Sequence, residues 1–224
     1  MKFVYLTVTT LLISLCASSQ VEFNIFAGLQ ATTASYHIVN VKQETKMKAG
    51  FQAGIGMKVP FENQLYFAPS AFYSMKGYKV TYNMFNALPD VNAKDNNTTI
   101  HTFELAALLQ FDFNSQPNHF FVKAGPGLDF QLFGKEKYNL LAGGTVDRKM
   151  KFSYGDYGRY SGNLHAQFGY ETGNGLGLFA YYTHGLASLN NADGGPHITH
   201  RVFGLSFSKT LNRKKIVIDT KNKE

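Results

Sequence analysis

The sequence predicts an all-β chain, an eight-stranded antiparallel up-and-down transmembrane β-barrel. Three observations predict it. Apolar residues recur at every second position through eight segments, and helices do not give that period. The seven connections between them run long, short, long, short, long, short, long. No segment of eighteen apolar residues offers a membrane-spanning helix instead.

The elements follow in order. Near 22–31, Phe23, Ile25, Ala27 and Leu29 oppose Glu22, Asn24, Gly28 and Gln30. Residues 48–59 alternate most cleanly, with Ala49, Phe51, Ala53, Ile55, Met57 and Val59 against Lys48, Gly50, Gln52, Gly54, Gly56 and Lys58. The third strand repeats this from Leu65 to Lys76, with Ser74 and Lys76 on its polar side. The fourth, near 99–113, sets Phe103, Leu105, Leu109 and Phe111 against Glu104, Gln110 and Asp112. In the fifth, near 119–134, Val122, Leu128 and Leu132 oppose Lys123, Asp129 and Gln131. Leu164, Ala166 and Phe168 oppose His165 and Gln167 near 158–171. Two more, near 176–187 and 198–210, complete the eight. Pro69 and Pro126 each delete a ladder donor, which predicts a local bulge or break.

The short connections, Pro60–Gln64, Asn114–Asn118 and Thr172–Gly175, carry Asn, Pro or Gly turn chemistry. The long ones lie near 32–47, 83–97, 135–157 and 188–197. Outer-membrane barrels pair short periplasmic turns with longer external loops, and eight strands return both ends to the periplasm. A soluble lipocalin-like barrel also alternates, so the side on which the apolar face lies is decisive. A polar face rich in Gly, Ser and Gln, with few charges, favours lipid outside. Aromatics at strand ends favour it too: Phe61, Phe113, Phe120 and Tyr170 by the short turns, and Tyr78, Tyr82, Phe133, Tyr157 and Tyr160 toward the long loops. An eight-stranded interior is filled by its own side chains, here including Glu104, Asp112, Lys123, Asp129, Gln131, His165, Gln167 and Glu171. Opposite charges among them are expected to pair and close the lumen.

Met1-Lys2, an apolar run from Phe3 to Leu15 and small residues through Ser19 read as a signal peptide over residues 1–19, cleaved before Gln20. A lipidated Cys16 is the competing reading, against which bulky Leu15 argues. The remaining organisation is one barrel domain, 20–211, and a basic periplasmic tail, 212–224. Cleavage removes the single cysteine and leaves 21 Lys+Arg against 15 Asp+Glu, a charge of +6. Scattered lysines on an exported chain point away from nucleic acid as a partner.

No residue set amounts to a catalytic, cofactor-binding or metal site. Lipid-modifying barrels pair His with Ser on one strand face; the nearest match is His197-Ile198-Thr199. His197 and His200, with Asp193 nearby, lack the further ligands a metal needs and read as loop histidines. His165 is expected to hydrogen-bond a lumen neighbour. Asn96-Asn97-Thr98-Thr99 contains sequons that read as loop polarity. The 135–157 loop, with Lys135-Glu136-Lys137 and Asp147-Arg148-Lys149-Met150-Lys151, is the best binding candidate, because lipopolysaccharide phosphates lie at its height.

Gly50-Phe51-Gln52-Ala53-Gly54, Leu65-Tyr66-Phe67-Ala68-Pro69, Tyr73-Ser74-Met75-Lys76-Gly77, Phe121-Val122-Lys123-Ala124-Gly125-Pro126-Gly127 and Phe168-Gly169-Tyr170-Glu171 resemble the PorT-like outer-membrane β-barrel family common in Bacteroidetes. The resemblance covers nearly all of the chain after the signal. It implies a small non-enzymatic barrel of the cell outer membrane, with outer-membrane lipids, lipopolysaccharide and envelope or secretion proteins as partners. It supplies no cofactor and no active site. One departure is the end: Phe207 is followed by Ser208–Glu224, where such barrels usually stop at an aromatic. The other function classes open to this pattern are a lipid A-modifying barrel enzyme and a soluble periplasmic binding barrel.

Overall fold

Period-two alternation becomes long strands with two unlike faces. The computed structural model describes residues 21–84 and 88–211, so the signal peptide and the basic tail lie outside the described residues. The elements are β1 (Glu22–Ile38), β2 (Val41–Lys42), β3 (Glu44–Lys46), β4 (Lys48–Glu62), β5 (Leu65–Thr81), β6 (Asp95–Asp112), β7 (His119–Asn139), β8 (Thr145–Lys149), β9 (Tyr160–Glu171), β10 (Leu176–Gly185) and β11 (His197–Thr210). β1, β4, β5, β6, β7, β9, β10 and β11 pair antiparallel in that order. β11 then pairs back onto β1, so that Ala27 faces Ala53 on one side and Phe207 on the other. The eight-stranded sheet is closed. Closure leaves no wall strand with an unpaired edge, which hydrocarbon would penalise by several kcal/mol per group.

The apolar face points outward. Phe51, Ile55, Leu105 and Phe168 are 41%, 62%, 43% and 52% exposed, while Gln52, Glu104 and Gln110 are buried inside. A soluble barrel with an apolar cavity requires the reverse. From β6 into the turn that follows it, the outward residues are apolar from Phe103 to Phe113, and on β6 they are polar at Asn97, Thr99 and His101. At about 3.3 Å per residue and a tilt near 45°, that stretch spans about 23 Å, close to the apolar band of such barrels.

The strands outrun their expected ends at the long-loop side. β1 continues to Ile38, β6 begins at Asp95, and β7 runs to Asn139 before folding back as the β7–β8 hairpin. The reason is a change of surroundings. Above the apolar band the outward positions turn polar, as at Thr33, Ser35 and His37, and the alternation that marks a lipid-facing strand fades although the strand persists. Asn96–Thr99 is therefore strand, not loop.

Each proline breaks one ladder locally without a bulge: β4–β5 pairing is interrupted at Pro69, between Gly56–Ser70 and Val59–Phe67, and β6–β7 pairing at Pro126, between Ala106–Gly127 and Leu109–Ala124. Pro69 pairs in register with Ala107 on β6, and Pro126 pairs in register with Leu164 on β9. A proline lacks a donor toward one neighbour only, so the ladder on the other side holds the alignment. The register shifts lie elsewhere, between Pro60 and Glu62 on β4 and between His101 and Thr102 on β6. At the short turns, Asn63 and Gly175 take positive φ of 47° and 75°, as their tight reversals require.

Phe61, Phe113, Phe120, Tyr170, Phe133 and Tyr160 are exposed on the outer wall, as the aromatic belt requires. Tyr78 and Tyr157 are not part of it. Both are buried inside the long-loop end, and Tyr82 packs against the same cluster. Sequence position near a strand end does not fix side, and Tyr78 has the inward parity of β5.

Candidate functional site

The lumen is filled at four levels, which the inward residues of β5 mark in turn. Beside Tyr66, at the short-turn end, Lys58 Nζ lies 2.6 Å from Asp112 Oδ2 and 3.9 Å from Glu171 Oε2, with its ammonium over the Tyr66 ring. His119 Nε2 stands 3.2 Å from the same Asp112 oxygen, and Gln110 Nε2 donates to Asp112 Oδ1 at 2.6 Å.

Next comes an aromatic layer. Phe72 and Phe179 both pack edge-on against Phe26, and Phe121 and Tyr181 sit against Phe179. This layer explains why the polar face carries so much glycine. A Cβ on Gly54 would lie 2.2 Å from Phe72 Cβ, and one on Gly169 would lie 2.6 Å from both Phe121 Cζ and Phe179 Cβ. The rings fit because the wall opposite is bare.

Above it lies a buried ionic centre. Lys76 Nζ is 2.7 Å from Glu104 Oε1 and 2.7 Å from Asp129 Oδ2. Asn163 Nδ2 donates to Asp129, and Thr102 Oγ1 donates to Glu104 at 3.0 Å. Gln30 donates to Ser74 Oγ and accepts from the Tyr181 hydroxyl, and Gln52 donates to Ser206 Oγ. Each carboxylate thus has the ammonium and a neutral hydrogen-bond donor beside it, which lowers the cost of burying these ions.

An apolar plug closes the long-loop end. Tyr36, Ile38, Tyr78, Val80, Ile100 and Ile198 from the strands meet Leu88, Met150, Tyr157 and Leu189 from the loops. Glu136 is fully buried within this end. It accepts from Arg148 Nε at 2.7 Å and from the Tyr157 hydroxyl at 2.9 Å. Burial pushes the Tyr157 phenol well above its ordinary range, so it stays protonated as that donor.

The sequence candidates are distributed differently from expectation. His197 is exposed at the start of β11, whereas His200 is buried in the lumen near Tyr78, and Asp193 accepts from the Tyr154 hydroxyl in the loop. His200 is therefore no loop histidine, and the three do not converge. Among the described residues no group of three or more His, Cys, Asp or Glu could hold a metal ion. Thr199 accepts from Arg201 Nη1 at 3.3 Å. His165 Nδ1 and Thr183 Oγ1 are 3.0 Å apart. Asn96 Nδ2 turns inward to Glu136.

Much of the 135–157 connection is a β-hairpin and not an irregular loop. β8 pairs with β7 so that Lys135 faces Lys149, Glu136 faces Arg148 and Lys137 faces Asp147. Glu136 and Met150 turn inward, while Lys135, Lys137, Lys149 and Lys151 stay exposed. Lys58 and Lys76 are among the inward charges missing from the sequence-based list. Their signal was present, since both lie on the polar parity of their strands.

Residues 16–191 match the family described as outer membrane protein beta-barrel domain. No curated protein is similar enough to count as a relative. Among solved structures, the chain is similar to Ail, the attachment invasion locus protein of Yersinia pestis, in complex with the heparin analogue sucrose octasulfate. That match has 15% identity, 84% of this chain, 98% of the other and a TM-score of 0.41. It is also similar to Neisserial surface protein A, at 14% identity, 84% and 97% coverage and a TM-score of 0.43. OprG of Pseudomonas aeruginosa gives 12%, 87%, 97% and 0.46. On the strength of the family match, the chain belongs to the outer membrane protein beta-barrel domain family and is a barrel of the outer membrane.

Proposed function

We propose that this barrel is a structural component of the envelope that does not conduct, held among outer-membrane lipids and lipopolysaccharide with its long loops outside the cell. One observation carries the reading: every level of the lumen is occupied by packed or ion-paired side chains, from Lys58 and Asp112 to Tyr36 and Tyr157. Export by a signal over residues 1–19 and a periplasmic tail over 212–224 complete it. Purified barrel in planar bilayers is expected to give no steady current above the protein-free background. A stable, reproducible unitary conductance would overturn the reading.

A second reading, participation in an assembly or secretion system of the PorT-like kind, is supported by one feature outside the wall. Among the described residues β8 pairs only with β7, so its other edge offers unpaired backbone groups above the membrane. Photo-crosslinking from Val146 in living cells tests this. A discrete envelope protein partner supports it, and recovery of uncrosslinked barrel alone rules it out.

A further inference from the structure

On the outer wall, β7 changes partner. It pairs with β9 up to Phe130, opposite Tyr160, and with β8 from Lys135, opposite Lys149. Between these points Leu132 is the extra residue of a bulge, so Leu132 and Phe133 both face outward. The fork leaves a groove of about 370 Å³. Its floor is apolar: Leu132, Phe133, Met150 and Phe152. Its rim is cationic, formed by Lys135, Lys149 and Arg159.

The rim charges are not balanced by the protein. Lys135, Lys149 and Arg159 form no ion pair among the described residues, although Lys137 two pairs along faces Asp147. Arg159 reaches only the Gln131 carbonyl, at 3.4 Å, and the Phe152 ring. Like charges directly opposite on one sheet face repel, so the Lys135–Lys149 pair costs stability unless an anion lies between them. Lys48, at the start of β4, shows the contrast. Its ammonium is satisfied by Asn97 Oδ1, the Thr98 carbonyl and Thr99 Oγ1. The groove also has the right height. Leu132 and Phe133 mark the upper limit of the apolar wall on β7, and Lys135 stands two residues above, at headgroup level.

We infer that the β7–β8–β9 fork is a binding site for a lipid of the outer leaflet bearing more than one phosphate, its phosphates on Lys135, Lys149 and Arg159 and its acyl chains against Leu132 and Phe133. This rests on the membrane reading above and gives its lipid contact a place. Several cations around one groove suit a head with several phosphates better than a single-phosphate head, because each ammonium or guanidinium then gains its own charge-assisted hydrogen bonds.

The test is native mass spectrometry of the folded full chain, released from detergent after titration with bisphosphorylated hexa-acyl lipid A, its dephosphorylated form, or phosphatidylglycerol. Wild type is expected to retain lipid A. A Lys135→Gln, Lys149→Gln, Arg159→Gln variant is expected to retain it roughly a hundredfold less. A Lys42→Gln, Lys94→Gln, Lys209→Gln variant of equal charge change is expected to match wild type. Should the triple rim variant not fold, Lys135→Gln and Lys149→Gln singly carry the same comparison. Equal retention by rim and control variants, or equal retention of dephosphorylated lipid A or phosphatidylglycerol, overturns the site. A wild-type chain that does not insert into vesicles at all overturns the membrane reading instead.

Discussion

Lys76 Nζ lies 2.7 Å from Asp129 Oδ2 in the interior of the barrel, and both side chains are almost entirely shielded from solvent. Glu104 supplies the second carboxylate at the same distance. Two anions with one cation form a stable centre only while the cation is there. Lys76→Met is therefore expected to destabilise the barrel by about 3–5 kcal/mol, because it strands two buried carboxylates. Adding Glu104→Gln and Asp129→Asn to that variant is expected to recover most of the loss. Urea unfolding of the barrel in vesicles, followed by the mobility shift of folded barrel in gels, measures both. An unchanged midpoint for Lys76→Met would show that the charges are hydrated rather than sealed.

How legible was this centre in the sequence? The parity of β6 and β7 alone puts Glu104 and Asp129 inside, and the register later makes them direct neighbours. Lys76 lies on the polar parity of β5, so its side was equally readable. What parity cannot give is level, because the tilt that brings Lys76 beside Asp129 depends on the closure of the whole sheet. The plug was hidden for a related reason. Tyr78 and Tyr157 are far apart in sequence and meet only because the 150–159 segment folds into the barrel mouth. The groove was half visible: the basic cluster at 135–151 stood out, but its division into inward Glu136 and outward Lys135 and Lys149 follows from the β7–β8 hairpin.

The outward face makes a depth-dependent prediction. Leu109 is near the middle of the apolar stretch on β6, and Phe113 is at its short-turn limit. Leu109→Arg is expected to cost about 2–4 kcal/mol, whereas Phe113→Arg is expected to cost about 0–1 kcal/mol. Folding equilibria in vesicles compare the two. Equal costs would place the membrane elsewhere on the wall.

Arg148 holds the long-loop end together. Its Nε donates to buried Glu136, and its Nη2 donates to the Pro89 carbonyl at 2.8 Å, joining the β8 hairpin to the preceding loop. Arg148→Ala leaves the Glu136 carboxylate with neutral donors only, a loss of about 2 kcal/mol confined to that end. Faster proteolysis within residues 82–94 and 150–159 is expected, with the unfolding midpoint of the barrel nearly unchanged. Cleavage at the wild-type rate would mean that the apolar plug alone secures these loops.

Val39 is held at φ +45° and Asn40 at φ +66° in the two-residue turn that joins Ile38 to Val41. Two positive φ values are what a tight hairpin of this kind demands, and Asn or Gly satisfies them at the first position. A β-branched residue there carries about 1–2 kcal/mol of backbone strain. The turn lies above the membrane and Val39 is exposed, so no packing offsets the strain. Val39→Asn is accordingly expected to stabilise the β1–β2 hairpin by about 1 kcal/mol. Slower amide hydrogen exchange at the Gln43 backbone amide, which donates to the Tyr36 carbonyl at 2.8 Å, is the local measure. Faster exchange in the variant would mean that Val39 stabilises this turn through contacts that outweigh its backbone strain.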